Sequence, residues 1–486
     1  MLFNSLLFLL VFLPGCLLLF WSLNRYSPGL AAVALILCSL FFYGWWKWSY
    51  LYLLLISMMF NYFIGIRLQK NKSMGWLATG VVANLAVLIY FKYTNLILET
   101  LAGLGWHESA TMNIVLPLAI SFFTFQQIAY LVDSHQGKVK DQSLASYALF
   151  VTFFPQLISG PIVHHSEMMP QFHQARTFQH KLMAAGMTFF IIGLFKKVGV
   201  ADELAWYVKQ VFEQENLLQS SNAREVWMAS VAYTFQIYFD FSGYSDMAIG
   251  LGLMFGVFLP INFNSPLKST SIIMFWRTWH MTLSRFLKDY LYIPLGGNRK
   301  GYFWQMVFLM VTMLLGGLWH GAAYTFLLWG GMHGVFLIIN HVFRKWLPGR
   351  SVNARFSQSV WHASSWLMTF LAVVLAFVVF RVNDLHLLGD IMSLMFFIEP
   401  GVESGTGVFA TTQVVFLLGW LLSLVVVVTA LPNTQQIMGY DVENKVLTQA
   451  LWKPNGLWVF VIFLLSAISF FKIMTNGYTE FIYRFF

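Results

Sequence analysis

The chain has 486 residues, of which 58% are hydrophobic and only 10% are charged. A soluble globular protein carries about 25% charged residues, so this composition excludes a water-soluble protein and indicates a membrane protein with many spans. The net charge of +9 fits loops that lie against anionic lipid headgroups, and no nucleic-acid-binding motif accompanies it. The two cysteines, Cys16 and Cys38, lie in apolar runs and suggest neither a disulfide nor a metal site.

Apolar stretches follow one another along the whole chain, without a repeat or a segment typical of a soluble domain. We therefore predict one all-α polytopic membrane domain over residues 1–486. It should contain roughly 10 to 12 transmembrane helices plus one or two re-entrant or interfacial helices. Residues 112–132 and 146–163 contain Pro and Gly, and they are the candidates for broken or re-entrant segments.

The basic residues near the first spans indicate the orientation of the chain. The first apolar run has no basic residue before it, so we predict an uncleaved span rather than a signal peptide. Arg25 follows this span, and Arg67, Lys70 and Lys72 follow the third. Placing these cations in the cytoplasm puts the N-terminus on the opposite, outer side of the membrane.

Polar residues first interrupt the apolar pattern at Ser121–Gln127, shortly after Pro117. Polar side chains at membrane depth usually face protein or water. Gln126 is therefore a candidate for lining a wet cavity, and the alternative is an ordinary span that tolerates polar residues.

A second interruption is Phe154–Pro161, which holds two prolines and a glycine. Such a composition disfavours a straight helix and predicts either a kinked span end or a re-entrant turn. The nearby residues His164 and His165 are adjacent and do not share a helical face. We therefore predict no metal site there, and none elsewhere in the chain.

Two carboxylates stand in the apolar stretch that begins at Val226. Asp240 and Asp246 are the only charged residues between Val226 and Leu267, and a charge at the bilayer centre costs roughly 2.5–3.5 kcal/mol on insertion scales. Gln236 precedes Asp240 by four residues and shares its helical face. These three side chains are candidates for lining a tunnel, and the alternative is a structural hydrogen-bond network between helices.

The segment Met274–Asp289 has the pattern of an amphipathic helix, with a basic stripe that includes Arg277 and an aromatic flank that includes Trp276. Such a helix is expected in the membrane interface. It leads into a glycine-rich basic loop, and there Asn298 is a candidate contact for a phosphate-bearing donor. The alternative is a cytoplasmic turn whose charges only set the topology.

His320 is the most unusual residue of the charge-free apolar run 301–343. A histidine can exchange a proton near neutral pH, and it is costly to place among apolar residues. Run 301–343 is long enough for two crossings, and Gly316, Gly317 and Gly321 flank the histidine. We predict that His320 stands at a break between two helices, either as a buried polar residue or as the base of a reaction within the membrane.

Five of these segments, in this order, resemble the membrane-bound O-acyltransferase family, and most closely its bacterial polysaccharide branch of alginate-type acetyltransferases. They lie within about residues 115–335. They are PLAISFFTFQ (117–126), FPQLISGPI (154–162), QIYFDFSGYSDMAIG (236–250), WRTWHMTLSRFLKDYLYIPLGG (276–297) and GLWHG (317–321).

The resemblance implies a membrane-embedded acyltransferase built around a central tunnel. Its donor would be acetyl-CoA or another cytoplasmic acyl thioester, with no permanently bound cofactor. Its partners would be periplasmic or membrane-anchored proteins that pass the acetyl group to an exopolysaccharide. Alginate is the expected polymer. Cellulose or another polymer, and D-alanyl transfer, are alternatives, as is a secondary transporter from a different functional class.

The resemblance also implies roles for individual residues. His320 would be the general base that deprotonates an attacking hydroxyl, and His280 would orient the donor or bind the thioester carbonyl or oxyanion. His333 is expected to pack or to line the tunnel. The remaining candidates for substrate binding or tunnel lining are Arg277, Trp276, Trp319, Gln126, Gln236, Asp240, Asp246 and Asn298.

Overall fold

The structure is a computed structural model. It describes residues 1–106, 112–173, 176–214, 217, 221–346, 355–396, 407–443, 446–447, 451–477, 479 and 481–482. The chain divides into two compact units. The first comprises Met1–Val198, Gly243–Ile261 and Met438–Phe486, and the second comprises Gly199–Ser242 and Asn262–Ile437. The single domain that we predicted for residues 1–486 thus contains two units, each discontinuous along the chain.

Helices account for nearly all of the regular structure. In chain order they are α1 (Leu13–Asn24), α2 (Pro28–Gly44), α3 (Trp48–Lys70), α4 (Met74–Leu88), α5 (Thr94–Gly103), α6 (Ile120–His135), α7 (Leu144–Thr152), α8 (Phe154–Leu157), α9 (His165–Phe172), α10 (His180–Phe195), α11 (Asp202–Phe212), α12 (Ala223–Met254), α13 (Ile272–Thr278), α14 (Met281–Leu287), α15 (Ile293–Leu295), α16 (Tyr302–His320), α17 (Tyr324–Trp346), α18 (Arg355–Arg381), α19 (Leu385–Met395), α20 (Thr411–Ala430), α21 (Thr434–Met438) and α22 (Gly456–Asn476).

Shorter elements connect some of these helices. Short π-helical segments occur at Phe8–Phe12, Ile89–Tyr93, Lys196–Ala201 and Lys288–Tyr292, and a 3-10 turn occurs at Pro266–Lys268. Two short strands, β1 (Tyr440–Asp441) and β2 (Val446–Leu447), pair antiparallel.

Several helices begin where the sequence supplies a capping side chain. An oxygen of that side chain accepts a hydrogen bond from a backbone N–H of the first turn, which has no partner inside the helix. The residues that cap in this way are Ser143 before α7, Ser271 before α13, Asp384 before α19 and Asn455 before α22.

Within the described ranges, eight helices are long and apolar enough to cross a membrane, which confirms the predicted all-α polytopic class. They are Trp48–Lys70, Met74–Gly103, His180–Phe212, Tyr302–His320, Tyr324–Trp346, Gln358–Arg381, Thr411–Ala430 and Gly456–Asn476. The count is below the predicted range of spans because the apolar helices Phe8–Asn24, Pro28–Gly44 and Leu385–Met395 are shorter. Helix α12 also lies outside this set. It carries Asp240 and Asp246, and most of its residues are buried.

Glycines bring helices into close contact in each unit. In the first unit, a Cβ at Gly186 would lie 2.6 Å from the carbonyl oxygen of Gly250, on the part of α12 that belongs to that unit. In the second unit, a Cβ at Gly317 of α16 would overlap the carbonyl oxygen of Phe326 in α17, and one at Gly330 would overlap that of Met313. Small residues allow such backbone approach between membrane helices.

The proline-containing segments are broken, as predicted. Helix α6 begins only after Pro117, and Ala119 before it has a left-handed backbone with φ of 60°. Helix α7 ends at Thr152, a single turn follows at Phe154–Leu157, and the chain then runs without a helix to His165.

The prediction of one amphipathic helix over Met274–Asp289 is wrong. The chain forms α13 and α14 instead, interrupted at Trp279 and His280. The break arises because the His280 backbone is left-handed, with φ of 43° and ψ of 52°, and a continuous helix cannot pass through that conformation. The two stripes predicted for a single helix therefore do not exist.

Candidate active site

His320 is the last residue of α16 and is buried, with 2% of its surface exposed. The chain turns immediately after it, since Gly321 is extended with φ of −160° and ψ of 156°. A Cβ at Gly321 would overlap the ring of Phe326, so the turn requires a glycine at this position. The predicted helix break at His320 is confirmed.

His280 is fully buried and lies at the break between α13 and α14. A left-handed conformation costs a residue other than glycine about 1–3 kcal/mol, and such strain clusters at functional sites. Backbone hydrogen bonds on both sides hold it in place. Met281 N–H donates to Asn262 O at 2.9 Å, and Asn264 N–H donates to Thr278 O at 2.9 Å.

The side chain of Asn262 connects to the same break. Its Oδ1 lies 3.0 Å from His280 Nδ1 and accepts hydrogen bonds from Thr282 Oγ1 at 2.9 Å and from Thr282 N–H at 3.3 Å. Asn262 is fully buried. It was not among the residues predicted from the sequence. The available signal was a polar residue four positions after residue 258, where the long apolar stretch ends.

The two predicted catalytic histidines lie next to each other in the second unit. Their ring centroids are 6.3 Å apart. Trp319 packs against both rings, with centroid distances of 6.1 Å to His280 and 4.9 Å to His320. The Phe241 ring packs perpendicular to the His280 ring, with the two centroids 4.8 Å apart. Burial lowers the pKa of His280 to about 3, so its imidazole is neutral at physiological pH.

An aromatic layer packs on the other side of His320. The Trp329 ring centroid lies 5.0 Å from that of His320 and 4.8 Å from that of His333. Trp276 Nε1 donates a hydrogen bond to His333 Nδ1 at 3.2 Å, so the His333 proton is on Nε2. Across the described ranges, neither Trp329 Nε1 nor His333 Nε2 has a hydrogen-bond partner, although both atoms are buried. Of these two donors, Trp329 Nε1 belongs to the ring that packs directly on His320.

The other candidates of the second unit are distributed between its interior and its surface. Asp240 is buried with 2% exposure, and Gln236 is half-buried one turn earlier on α12. Arg277, in the last turn of α13, is exposed. Asn298 is also exposed, in the turn after α15.

Gln126 and Asp246 belong to the first unit. Gln126 Nε2 donates to the carbonyl oxygen of Phe150 at 2.6 Å, a contact that connects α6 to α7. Asp246 Oδ2 forms an ion pair with Lys196 Nζ at 2.6 Å, and only 1% of the Asp246 side chain is exposed. These contacts fit the structural alternative for both residues.

A metal-binding cluster is not found among the described residues, where no group of three or more His, Cys, Asp or Glu side chains is arranged to hold an ion. His165, one of the adjacent histidines, lies with its Nδ1 3.3 Å from Asp133 Oδ2 in the first unit.

Known proteins are similar to this chain over most of its length. The model of the membrane-bound O-acyltransferase family matches residues 40–381, which include both histidines. The chain is 43% identical over 419 residues to the peptidoglycan O-acetyltransferase of Helicobacter pylori, covering 79% of this chain and 78% of the relative. It is 41% identical over 407 residues to the probable alginate O-acetylase AlgI of Pseudomonas aeruginosa, covering 82% and 75%. The teichoic acid D-alanyltransferase of Bacillus subtilis is 27% identical over 284 residues, covering 54% and 67%.

Proposed function

Because this chain belongs to the membrane-bound O-acyltransferase family, we propose that it moves an acetyl group from a cytoplasmic thioester across the inner membrane, for O-acetylation of a polysaccharide outside. It is a multi-pass membrane O-acetyltransferase, which leaves the transporter alternative without support. The observation that carries the proposal is the buried pair of His280 and His320, with ring centroids 6.3 Å apart.

The transfer needs a general base, and we assign this role to His320. Its neutral imidazole takes the proton from an attacking hydroxyl, and the hydroxyl oxygen bonds to the thioester carbon. The tetrahedral intermediate then collapses, the carbon–sulfur bond breaks, and the thiolate takes the proton from the imidazolium. The products are an ester and a free thiol. No permanently bound cofactor is needed for this exchange.

The negative charge on the thioester oxygen needs a hydrogen-bond donor. Trp329 meets this requirement because its ring packs against His320 and its Nε1–H is buried without a partner in the described part of the chain. An indole N–H is a donor in every protonation state of the site. His280 is the other candidate for holding the thioester.

The donor is proposed to be acetyl-CoA or an acetylated carrier protein. Both carry the acetyl group on the thiol of a pantetheine arm, whose other end bears a phosphate. Arg277 and Asn298 are exposed and are the side chains that we propose to contact this polar part of the donor. An acetyl group is favoured over D-alanine because the acetyltransferases are more similar to the chain than the D-alanyltransferase is.

The relatives' names supply two candidate polymers. Alginate is the first, from the Pseudomonas aeruginosa relative, and peptidoglycan is the second, from the Helicobacter pylori relative. Both are polysaccharides outside the inner membrane. We propose that periplasmic or membrane-anchored partner proteins complete the transfer. The immediate acceptor is then a hydroxyl of a partner or of the polymer itself.

The proposed orientation follows from charge. Arg25 and the cations at Arg67–Lys72 would lie in the cytoplasm, which puts the N-terminus in the periplasm.

Membrane vesicles with the cytoplasmic face outward test the function as a whole. Acetyl-CoA, acetyl carrier protein and a D-alanyl thioester, each labelled on the acyl group, are supplied separately to vesicles that contain the chain and its host's envelope proteins. We expect label from an acetyl donor to enter a base-labile ester on polysaccharide inside the vesicles. Fractionation of alginate from peptidoglycan identifies the polymer. Label confined to the D-alanyl donor, or absent from polysaccharide, contradicts the proposal.

A further inference from the structure

The hydrogen bonds around Asn262 determine which nitrogen of His280 carries the proton. The backbone N–H of Thr282 can only donate, and it points at Oδ1 of Asn262 from 3.3 Å. That atom must therefore be the amide oxygen, because an amide NH₂ in its place would face another donor. Thr282 Oγ1 donates to the same oxygen at 2.9 Å.

An amide oxygen has no proton to donate. The contact of 3.0 Å between Asn262 Oδ1 and His280 Nδ1 is consequently a hydrogen bond only if Nδ1 carries the proton. In a neutral imidazole the other nitrogen then holds a lone pair. His280 Nε2 is thus an acceptor and cannot donate a hydrogen bond to a thioester oxyanion.

We propose that Asn262 is a positioning residue that fixes His280 as a hydrogen-bond acceptor for the donor substrate, and that His280 therefore orients the thioester rather than stabilising the oxyanion. This inference rests on the proposed function. Of the two roles that the sequence left open for His280, the geometry selects orientation. The hydrogen bond to the oxyanion must then come from a group that always donates, such as the indole N–H of Trp329.

The chemistry of a pantetheine thioester suggests what His280 binds. The attacking hydroxyl gives its proton to His320. The nearest donor on the thioester itself is the amide N–H two carbons from the sulfur. This N–H is common to coenzyme A and to carrier-protein thioesters, so the contact would serve either donor.

Replacing Asn262 by Asp distinguishes the proposed positioning role of Asn262 from a merely structural one. A carboxylate keeps the acceptor oxygen for Thr282 and Nδ1, but its charge favours the imidazolium and raises the pKa of His280. Below that raised pKa, Nε2 is protonated and can no longer accept. Of three rings that pack on His280, those of Phe241 and Trp319 do not titrate and that of His320 does. The pH–activity profile of the parent protein therefore serves as the reference for the titration of His320.

Acetyl transfer is measured from pH 5 to pH 9 for the parent, Asn262→Asp and Asn262→Leu, in vesicles matched for the amount of folded protein. The ratio of Asn262→Asp to parent activity should fall toward low pH, by up to about tenfold per pH unit below the raised pKa, and recover at high pH. Asn262→Leu should lose at most the roughly 10-fold expected for removal of His280 itself, at every pH and mainly in kcat, because the tautomer is no longer held. A ratio that stays flat, or that rises as the pH falls, overturns the proposal, since an imidazolium would be the better oxyanion donor.

A measurement on the parent protein covers the case in which a variant does not fold. Nitrogen-15 NMR of histidine-labelled protein in liposomes distinguishes the two tautomers, with the His280 signal assigned by its loss in His280→Asn. We expect a protonated Nδ1 and an unprotonated Nε2, and the opposite tautomer contradicts the inference. This readout does not depend on activity. Failure of the parent to transfer acetyl would instead contradict the proposed function.

Discussion

The ring of His320 at the end of α16 lies 6.3 Å, centroid to centroid, from the ring of His280 at the break between α13 and α14. Both rings are buried, and each sits where a helix stops. A helix interior would fix its side chains along one face, whereas two helix breaks can direct both rings toward one point.

Replacing His280 by Asn should lower transfer by about 10-fold and leave the amount of protein in the membrane unchanged. Asn tolerates the left-handed backbone of this position better than most residues, so the change removes the imidazole with little strain. Kinetics with two small donors provide the measurement. S-acetyl-N-acetylcysteamine has the amide N–H, and a matched thioester with an ester in place of the amide lacks it. The parent should prefer the amide donor and the variant should not. An equal preference in both proteins speaks against a contact from His280 to this N–H.

Replacing Trp329 by Phe should lower kcat by about 10²–10³-fold, because the ring remains and only the donor N–H is lost. Trp366→Phe is the matched control. Its Nε1 already donates to the carbonyl oxygen of Leu267 at 2.9 Å, so its loss should affect stability more than rate. Single-turnover kinetics with saturating donor separate the chemical step from binding. Unchanged turnover in Trp329→Phe would remove this residue from the mechanism.

Replacing Asp246 by Asn should reduce the stability of the protein, and not the activity per folded molecule. The change leaves the Lys196 ammonium, whose side chain is only 16% exposed, without its carboxylate. Breaking a buried ion pair costs about 3–5 kcal/mol. Thermal unfolding in detergent gives the stability, and transfer activity is normalised to folded protein. The double variant Lys196→Met with Asp246→Leu should recover much of the loss. A normal melting temperature with lost activity would instead favour the predicted tunnel role of Asp246.

Replacing Gly321 by Ala should abolish most activity because the added Cβ would overlap the ring of Phe326. The turn after His320 would have to shift, and with it the base. Overpacking of this kind typically costs about 1–3 kcal/mol. Combining Gly321→Ala with Phe326→Leu removes the overlap and should restore part of the transfer rate. If Gly321→Ala alone is as active as the parent, the turn does not position His320.

The helix break at His320 could be predicted from the sequence, because glycines on both sides of a histidine in a long apolar run favour an interruption of the helix. The interruption around Pro155 could be predicted as well, since proline removes a backbone donor. The break at His280 could not. Periodicity placed that residue on a continuous helix, and no local signal marks a left-handed histidine.

Asn262 was missed for a related reason. Its role depends on a contact with a residue 18 positions further along the chain, and periodicity carries no information about such contacts. Gln126 and Asp246 show a second limit of the sequence. A polar residue in an apolar helix predicts a partner or water, but the sequence does not say which, and here Phe150 and Lys196 supply the contacts.

Acetyl transfer by His320→Ala tests the central claim most directly. Labelled acetyl thioester is supplied to vesicles that contain equal amounts of the parent or the variant, and the acetyl ester formed is counted. The variant should be inserted in the membrane like the parent and should retain less than about 1% of its rate, since a general base contributes about 10²–10⁴-fold. A folded His320→Ala protein that transfers acetyl at a rate near that of the parent would contradict the assignment of His320 as the base.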